Sequence, residues 1–400
     1  MMIGYLRADG RKGIRNVVAV AYLVECAHHV SRAIVTKADD MDVHLIGFPG
    51  CYPNAYAQKV MEAIGTHPNI GAVLLVSLGC ESFNRERLRQ VIEAGGRPVE
   101  TLVIQENGGT AATIQKGLEA VRRLKSVAAE TPTVPMAVSD LVIATICGGS
   151  DGTSGITANP AVGRAFDRLG AEGAACIFEE TGELVGCEAI MADRALTPEL
   201  GAELEASVHK AERYYTVMGF GSFAPGNAEG GLTTQEEKSM GAYSKSGSAP
   251  IVGILKPGDQ PVSGGLYLLD VVPDGEPRFG FPNIADNAEI VELIACGAHV
   301  TLFTTGRGSV VGSAISPVIK ICANPQTYRN LSGDMDIDAG RILEGRGTLD
   351  EVGSEIYDRV LRVAAGERTV SEALGHQEFV LTYKAFDPIG PACLPMRARA

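Results

Sequence analysis

The sequence predicts an α/β protein built from two α/β domains, and three observations support this fold class. Short apolar runs rich in Val, Ile and Ala alternate with segments that are compatible with helices. Glycine is abundant, at 48 of 400 residues, and it recurs where the apolar runs end. The proline-containing stretch Lys125–Ser139 separates two such series of elements, and we place the domain boundary in it.

The first series predicts an N-terminal α/β domain over residues 1–130. Its apolar runs have the length and composition of buried strands. The predicted strands are Val17–Val24, Val43–Gly47, Ala72–Leu78 and Leu102–Gln105, and the predicted helices are Ala27–Val35, Ala55–Ile64, Arg85–Ala94 and Ala111–Leu124. Lys125–Ser139 is expected to be a linker.

The second series predicts a C-terminal α/β domain over residues 131–400. The predicted strands are Leu141–Ile146, Ala174–Phe178, Leu266–Val271, Val300–Phe303 and Val318–Cys322, and the predicted helices include Ala161–Leu169 and Ala202–Tyr215. The segment Phe223–Gly247 is rich in Gly, Thr and Lys, so we expect it to lie outside the core.

The composition limits the classes of function. The formal net charge is −13 and Lys/Arg-rich runs are missing from the sequence, which argues against nucleic-acid binding. The N-terminus is polar, and the longest apolar runs are too short to span a bilayer. The nine cysteines are widely spaced, so we expect reduced thiols in a cytoplasmic protein.

The stretch Cys147–Pro160 carries the strongest functional signal. It lies between a predicted strand and a predicted helix, where open α/β sheets bind ligands. Its glycines allow the backbone to approach an anion closely. The candidate binding groups in this stretch are Cys147, Ser150, Asp151, Thr157 and Asn159. A connector without a chemical task would need fewer polar groups.

Carboxylates also follow the predicted strand Ala174–Phe178. Glu179 and Glu180 can hold a hard cation or act as a general base, and the structural alternative is a solvated loop pair. Asp151 has the same two interpretations.

The segment Phe223–Ser239 is the second dense polar stretch. Thr234 is a candidate helix N-cap, with Glu237 three residues on, and such a helix start attracts a carboxylate ligand. Lys238 and Lys245 are therefore candidates for a base or an anion clamp. Surface solvation is the alternative for each lysine.

A third polar stretch, Thr304–Ser309, follows the predicted strand Val300–Phe303. Arg307 stands between two glycines and can bind a substrate carboxylate through two nitrogens, with Thr305 as a nearby hydroxyl. The glycine fingerprint of a nicotinamide site is missing after the predicted strands, and so is a P-loop motif.

The cysteines raise a separate hypothesis. Cys51, Cys80 and Cys147 each adjoin a glycine at a predicted strand end. If they converge, three thiolates with an open iron position would form an aconitase-like iron–sulfur dehydratase site. Alternatively, cysteine is simply a small apolar residue at these positions. The sequence leaves both interpretations open.

Together the motifs resemble the altronate/galactarate dehydratase family, which includes the large subunit of sulfolactate sulfo-lyase. The resemblance covers nearly the whole chain. The segments that carry it are Gly4–Arg11 with Gly13–Asn16, His67–Asn69, Leu78–Glu81, Gln105–Thr110, Cys147–Pro160, Pro225–Gly241, Leu302–Gly312 and Asp334–Arg341.

The resemblance implies that residues 1–130 dimerise and that residues 131–400 form a Rossmann-like variant, with a mainly parallel sheet, that binds metal and substrate. It also implies iron-dependent lyase activity, with Fe²⁺ as cofactor. Many family members carry a small β-rich SAF domain ahead of the region that matches here. We expect such a domain to be a separate small subunit, because the family motifs begin at Gly4.

One position departs from the family pattern. Sugar-acid dehydratases of the family tend to have a histidine four residues before the cysteine of the Gly-Cys motif, and this chain has Gly47 there. The departure bears on which substrate the chain accepts more than on the class of reaction.

The resulting hypothesis is metal-dependent β-elimination from a 2-hydroxy carboxylate, first of all dehydration of a sugar acid to a 2-keto-3-deoxy acid. The metal is assigned to Cys147, Asp151 and Glu179; the base to Lys238, then Glu180; the substrate carboxylate to Arg307 and Asn159; and further substrate contacts to Ser150, Thr157, Thr234 and Thr305. One alternative is a sulfo-lyase that releases sulfite from 3-sulfolactate to give pyruvate. Another is a non-catalytic protein that binds acidic ligands.

Overall fold

A computed structural model describes residues 2–219, 225–275, 285–381 and 383–384. Within these residues the chain forms a four-stranded and a seven-stranded parallel sheet, each accompanied by helices, and a small antiparallel sheet. The predicted architecture of two α/β domains is therefore confirmed. Phe223, the first residue of the predicted polar segment, lies outside the described residues.

The N-terminal half contains the four-stranded sheet. Its elements are β1 (Met2–Leu6), β2 (Lys12–Gly13), β3 (Val17–Tyr22), α1 (Glu25–Ala38), β4 (Val43–Gly47), α2 (Ala55–Gly65), β5 (Ile70–Ser77), α3 (Arg85–Ala94), β6 (Val99–Val103), α4 (Gly109–Ala129) and β7 (Thr133–Met136). The strand order is β4-β3-β5-β6. β5 is buried along its whole length and is central, in keeping with its unbroken apolar sequence.

The C-terminal half contains the seven-stranded sheet. Its elements are β8 (Val142–Cys147), α5 (Ala158–Ala171), β9 (Ala175–Phe178), α6 (Glu188–Asp193), α7 (Pro198–Met218), α8 (Pro225–Glu229), α9 (Gln235–Ser244), β10 (Ile251–Leu255), β11 (Gly265–Leu269), α10 (Asp286–Ala295), β12 (Val300–Thr305), β13 (Val318–Cys322), α11 (Pro325–Asn330), β14 (Ile337–Asp338), α12 (Leu349–Ala364) and α13 (Val370–Leu374). The strand order is β10-β11-β9-β8-β12-β13-β14.

The expectation of a linker over Lys125–Ser139 is wrong. α4 continues to Ala129, and β7 pairs antiparallel with β1 at the edge of the small sheet β2-β1-β7. Pro135 is compatible with this position, because an edge strand can spare one backbone donor.

The expectation that Phe223–Gly247 lies outside the core is also wrong for α9. This helix begins after Thr234, whose side chain accepts a hydrogen bond from the Glu237 amide, as the capping pattern predicts. Its residues Lys238 and Tyr243 are buried. The polar composition of the segment is misleading because Lys238 and Lys245 are buried in ion pairs rather than solvated.

The seven-stranded sheet determines where the functional groups meet. Its strands are parallel, so their carboxyl ends lie along one edge. Cys147 ends β8, Glu179 and Glu180 follow β9, and Thr305 ends β12. Among the described residues, none of the helices combines the length and apolar character that a bilayer span requires.

Candidate active site

Three potential metal ligands meet at the carboxyl edge of the seven-stranded sheet. Ligand atoms of Cys147, Glu180 and Glu183 lie within 4.8 Å of one another. Glu183 belongs to a short 3-10 turn, Thr181–Leu184, that directly follows Glu180. The Cys147 Sγ atom is 3.4 Å from a Glu180 carboxylate oxygen and 3.6 Å from a Glu183 carboxylate oxygen.

Glu180 is held in an unusual backbone conformation. Its φ of 90° and ψ of 46° are left-handed, a region that non-glycine residues seldom adopt. One carboxylate oxygen accepts a hydrogen bond from the Cys147 amide, and the other forms an ion pair with Lys245. Burial raises the pKa of Glu180, but the charges of Lys245 and Lys238 outweigh it, so the pKa lies below its usual value.

Lys238 connects the remaining groups. From α9, its buried Nζ atom donates to Cys147 Sγ at 3.2 Å and to Ser150 Oγ at 3.1 Å, and it forms an ion pair with Glu183. Burial disfavours the ammonium ion, yet the surrounding groups, Cys147 and Glu183 first, raise the pKa of Lys238 well above its usual value. The amine is therefore held as a cation.

The other two ligand candidates have raised pKa values. Burial, and secondarily Glu180, raises the pKa of the Cys147 thiol to about 12. The same two causes raise the pKa of Glu183 to about 7, against the opposing charge of Lys238. Glu183 can therefore change its protonation state near neutral pH.

The donor set fits a divalent metal ion. One sulfur and two carboxylates are ligands that iron accepts, and a cation beside the thiol would favour its deprotonation. Two ammonium groups, those of Lys238 and Lys245, already lie against these donors, which indicates that the site attracts positive charge.

Two residues assigned to the metal from the sequence lie outside this group of three. Asp151 is buried and organises its own loop: its carboxylate accepts hydrogen bonds from the Thr153 amide at 2.9 Å and from Asn324 Nδ2 at 2.9 Å. Glu179 is buried, and neither of its carboxylate oxygens has a hydrogen-bond partner among the described residues. Burial, and the neighbouring Glu289, raise the pKa of Glu179 well above its usual value.

Arg307 lies at the surface. Its guanidinium contacts the Gly226 carbonyl and is 3.4 Å from a Glu229 carboxylate oxygen, and its side chain is 42% exposed. Thr305 is buried and accepts a hydrogen bond from the Gly308 amide at 2.9 Å, so it shapes the loop that carries Arg307.

The other predicted substrate contacts include two side chains with structural partners. The Thr157 hydroxyl lies 2.9 Å from the Ala323 carbonyl. Asn159 accepts from Thr304 Oγ1 at 2.6 Å and donates to the Gly241 carbonyl at 3.0 Å, which joins α5 to α9. Ser150 differs, because its hydroxyl lies between Cys147 and Lys238.

A cavity of about 400 Å³ adjoins Lys238. Its lining comes from the Cys147–Pro160 stretch and from α9. The polar groups that line it include Ser150, Ser154, Asn159, Lys238 and Ser244. The cavity therefore gives a small ligand access to the Lys238 side chain.

Comparisons with known proteins show the family to which the chain belongs. The family profile described as D-galactarate/altronate dehydratase, C-terminal, matches residues 138–386. The profile described as D-galactarate dehydratase/altronate hydrolase, second domain, matches residues 4–129. The chain belongs to the D-galactarate/altronate dehydratase family. The resemblance inferred from the sequence motifs is confirmed.

Individual relatives within the family carry different names. A (2R)-sulfolactate sulfo-lyase subunit beta from Chromohalobacter salexigens is 34% identical over 95% of this chain and 96% of that protein. A galactarate dehydratase (L-threo-forming) from Escherichia coli is 31% identical over 93% of this chain and 74% of that protein. An altronate dehydratase from Escherichia coli is 28% identical over 94% of this chain and 76% of that protein.

The space beside Gly47, where a histidine was expected in sugar-acid dehydratases, is filled by Tyr22. A methyl group built on Gly47 would overlap the ring of Tyr22, which ends the neighbouring strand β3. A histidine could occupy this position only if the Tyr22 ring moved.

Cys51 and Cys80 are exposed, whereas Cys147 is buried. Within the described ranges, the single group with three potential metal ligands is the one formed by Cys147, Glu180 and Glu183. Neither Cys51 nor Cys80 belongs to that group.

Two acids in or near this group, Glu183 and Asp286, were not among the predicted site residues. Glu183 had a usable signal, because its spacing of three residues from Glu180 suits two side chains on one side of a helical turn. Asp286 begins α10 and lies beside Gly148, a contact between residues far apart in the chain that no local pattern indicates.

Proposed function

We propose that this chain catalyses β-elimination from a 2-hydroxy carboxylate, and that the reaction is dehydration of a sugar acid to a 2-keto-3-deoxy acid. The observation that carries the proposal is the group formed by the buried Cys147 and Glu180 and the half-buried Glu183, with Lys238 in contact with Cys147 and Glu183. The cavity beside Lys238 supports a sugar acid, because about 400 Å³ exceeds the need of a three-carbon acid.

We assign Fe²⁺ to Cys147, Glu180 and Glu183, because their ligand atoms are close together and those of Asp151 and Glu179 lie outside that group. When bound, such an ion supplies Lewis-acid stabilisation of the negative charge that develops as a proton leaves C2 of the substrate. Lys245 would keep the Glu180 carboxylate in position through its ion pair.

Lys238 is proposed to take the C2 proton. Its ion pair with Glu183 and its contact with Cys147 raise the pKa of its amine, so Lys238 must first lose a proton to act as the base. Loss of the group on C3 then gives an enol, which tautomerises to the 2-keto acid.

The substrate carboxylate is proposed to bind in the cavity against Ser150 and Lys238, which both line it. Arg307 could bind a distal carboxylate if it exchanged its contact with the Gly226 carbonyl. Asn159 supports the cavity wall through its bond to Gly241.

Elimination of sulfite from 3-sulfolactate is a second candidate. The observation that favours it is the 34% identity to a sulfo-lyase subunit beta over 96% of that protein. Gly47 also favours this candidate, because a histidine is expected at this position in sugar-acid dehydratases. The neighbouring Tyr22 ring fills the space that a side chain would need.

We further propose a homodimer that works with a separate small SAF-domain subunit in the cytoplasm. The printed name of one relative, a subunit beta, supports a partner chain. The free thiols of the described cysteines are consistent with a reducing compartment.

The test is anaerobic purification followed by iron and acid-labile sulfide assays and a paired turnover assay. Altronate, galactarate and 3-sulfolactate are supplied separately, and 2-keto acid and sulfite are measured. Iron without sulfide, together with keto acid from a sugar acid, would support the proposal. Sulfite from sulfolactate alone would favour the second candidate. An iron-loaded protein that binds these acids without converting them would contradict both.

A further inference from the structure

We propose that Asp286 is the general acid that protonates the departing hydroxide. The inference rests on the proposed dehydration, since a departing hydroxide exists only in that reaction. The observation behind it is the position of Asp286. This residue is the first of α10, and its carboxyl lies against Gly148, which follows Cys147.

Gly148 allows the Asp286 carboxyl to reach the site. A methyl group built on Gly148 would overlap Asp286 Oδ2 and the edge of the Phe303 ring. Asp286 therefore lies against the residue that follows Cys147, and glycine at position 148 leaves the room it needs. Asp286 itself is partly buried.

The other carboxyls of the site are engaged elsewhere. Glu180 is paired with Lys245, and Glu183 is paired with Lys238. Asp151 accepts hydrogen bonds within its loop. Among the described residues, both site lysines pair with other acids, so neither holds the Asp286 carboxyl as an anion in a salt bridge.

The surroundings of Asp286 make its carboxyl easier to protonate than that of an exposed aspartate. Burial raises its pKa to about 6, and the negative charge of Glu180 adds to the effect, while Lys238 and Lys245 oppose it. Glu289 lies one turn further along α10 and is also buried. A carboxylic acid in such a place can deliver a proton, as general acids in other enzymes do.

The proposed step conserves atoms and charge. A base removes the C2 proton, the electron pair forms the C2–C3 double bond, and the C3–O bond breaks. Asp286 donates its proton to the leaving oxygen, so water departs and the Asp286 carboxylate remains. The proton taken from C2 returns to Asp286 before the next turnover. Oxidants and reductants take no part.

The test compares two leaving groups in the same enzyme. Asp286→Asn and the wild type are assayed with the sugar acid that the wild type dehydrates and with its 3-chloro-3-deoxy analogue. Hydroxide needs a proton to depart and chloride does not. We expect Asp286→Asn to lose about 10²-fold or more of kcat on the sugar acid. On the chloro analogue, it should stay within about threefold of the wild type.

Equal losses on both substrates would overturn the proposal and leave a structural role, and so would an unchanged kcat on the sugar acid. Asp193→Asn, at an exposed aspartate, is the matched control. Gly148→Ala, which should displace the Asp286 carboxyl without removing it, should reproduce the selective loss even if Asp286→Asn folds poorly. A wild type that converts only sulfolactate would refute the dehydration itself, and this inference with it.

Discussion

Lys238 Nζ lies 3.2 Å from Cys147 Sγ, although the two residues are 91 positions apart in the chain. Cys147 is fixed by the end of β8, and Lys238 reaches it from α9, which lies over the Cys147–Pro160 stretch. The two densest polar motifs of the sequence therefore face each other, and Lys238 Nζ joins them by donating to Cys147 Sγ and to Ser150 Oγ.

Replacing Lys238 with Met should abolish most turnover and leave bound iron unchanged. The substitution removes the proposed base, an effect of about 10²- to 10⁴-fold in kcat, but it removes none of the proposed ligands. Lys238→Arg is the control, because it keeps the positive charge without a readily titrating amine. An unaltered kcat in Lys238→Met would rule out the role, and full activity in Lys238→Arg would show that charge alone suffices.

Cys147→Ser should lower the iron bound per chain after anaerobic purification, because it removes the sulfur of the proposed ligand group. Cys51→Ser and Cys80→Ser are matched controls. Both cysteines are exposed and lie outside that group, so iron content should not change. Iron loss in either control would revive the three-cysteine arrangement.

Lys245→Met should destabilise the fold. The substitution leaves the buried Glu180 carboxylate without its ion-pair partner, and breaking such a pair costs about 3–5 kcal/mol. Urea unfolding curves would report the difference, with Lys37→Met as the exposed-lysine control. Adding Glu180→Gln to Lys245→Met should recover part of the lost stability, and a double variant no more stable than the single one would contradict this account.

Gly241→Ala should reduce activity by displacing α9. A methyl group on Gly241 would lie 3.1 Å from the Gly155 Cα, where the helix crosses the loop. Separation of the two backbones would move Lys238 away from Cys147. Gly170→Ala is the control, because a methyl group there meets no atom within 4 Å and should stabilise α5 by up to about 1 kcal/mol. If steady-state kinetics showed equal activity for Gly241→Ala and Gly170→Ala, the role of Gly241 in positioning α9 would be refuted.

Stability should fall in mild acid because His299 is buried in its neutral form. Its Nδ1 atom accepts from the Val142 amide at 2.9 Å, its Nε2 atom donates to the Lys12 carbonyl at 2.8 Å, and burial lowers its pKa to about 4. The unfolded state binds a proton near pH 6.5, so the stabilisation is complete above that pH. It should decline towards pH 4, by about 3 kcal/mol in total.

Urea midpoints measured between pH 8 and pH 4 would test this. His299→Gln can make both hydrogen bonds without titrating, so its midpoints should depend less on pH than those of the wild type. Parallel pH profiles for the two proteins would assign the acid sensitivity to other groups, such as the buried His67.

Much of the fold could be predicted from local sequence patterns. The predictions for β4, α3 and β13 match the structure residue for residue, because each element is bounded by clear turn signals. α10 was missed because its buried positions include Glu289 and Glu292, which obscure the apolar pattern of a core helix. Glu292 is tolerated there through an ion pair with Lys384, a contact between distant parts of the chain.

Only part of the site could be predicted from the sequence, because some of its contacts join distant parts of the chain. Cys147, Glu180 and Lys238 stand in motifs at strand or helix ends, where parallel-sheet geometry predicts convergence. Arg307 stands in an equally suggestive motif, yet its side chain turns to the surface, and side-chain direction in a loop depends on its neighbours. Asp286 reaches the site through space left by Gly148, which no pattern of either segment reveals.

The left-handed backbone of Glu180 has a consequence for directed evolution. Glycine would relieve a strain of about 1–3 kcal/mol at this position, but it would leave the buried Lys245 without its ion-pair partner, which costs about 3–5 kcal/mol. A library selected for thermal tolerance alone is therefore expected to retain the acid at position 180 for as long as Lys245 is present. In a Lys245→Met background the same selection should enrich glycine there, because only the backbone strain then remains.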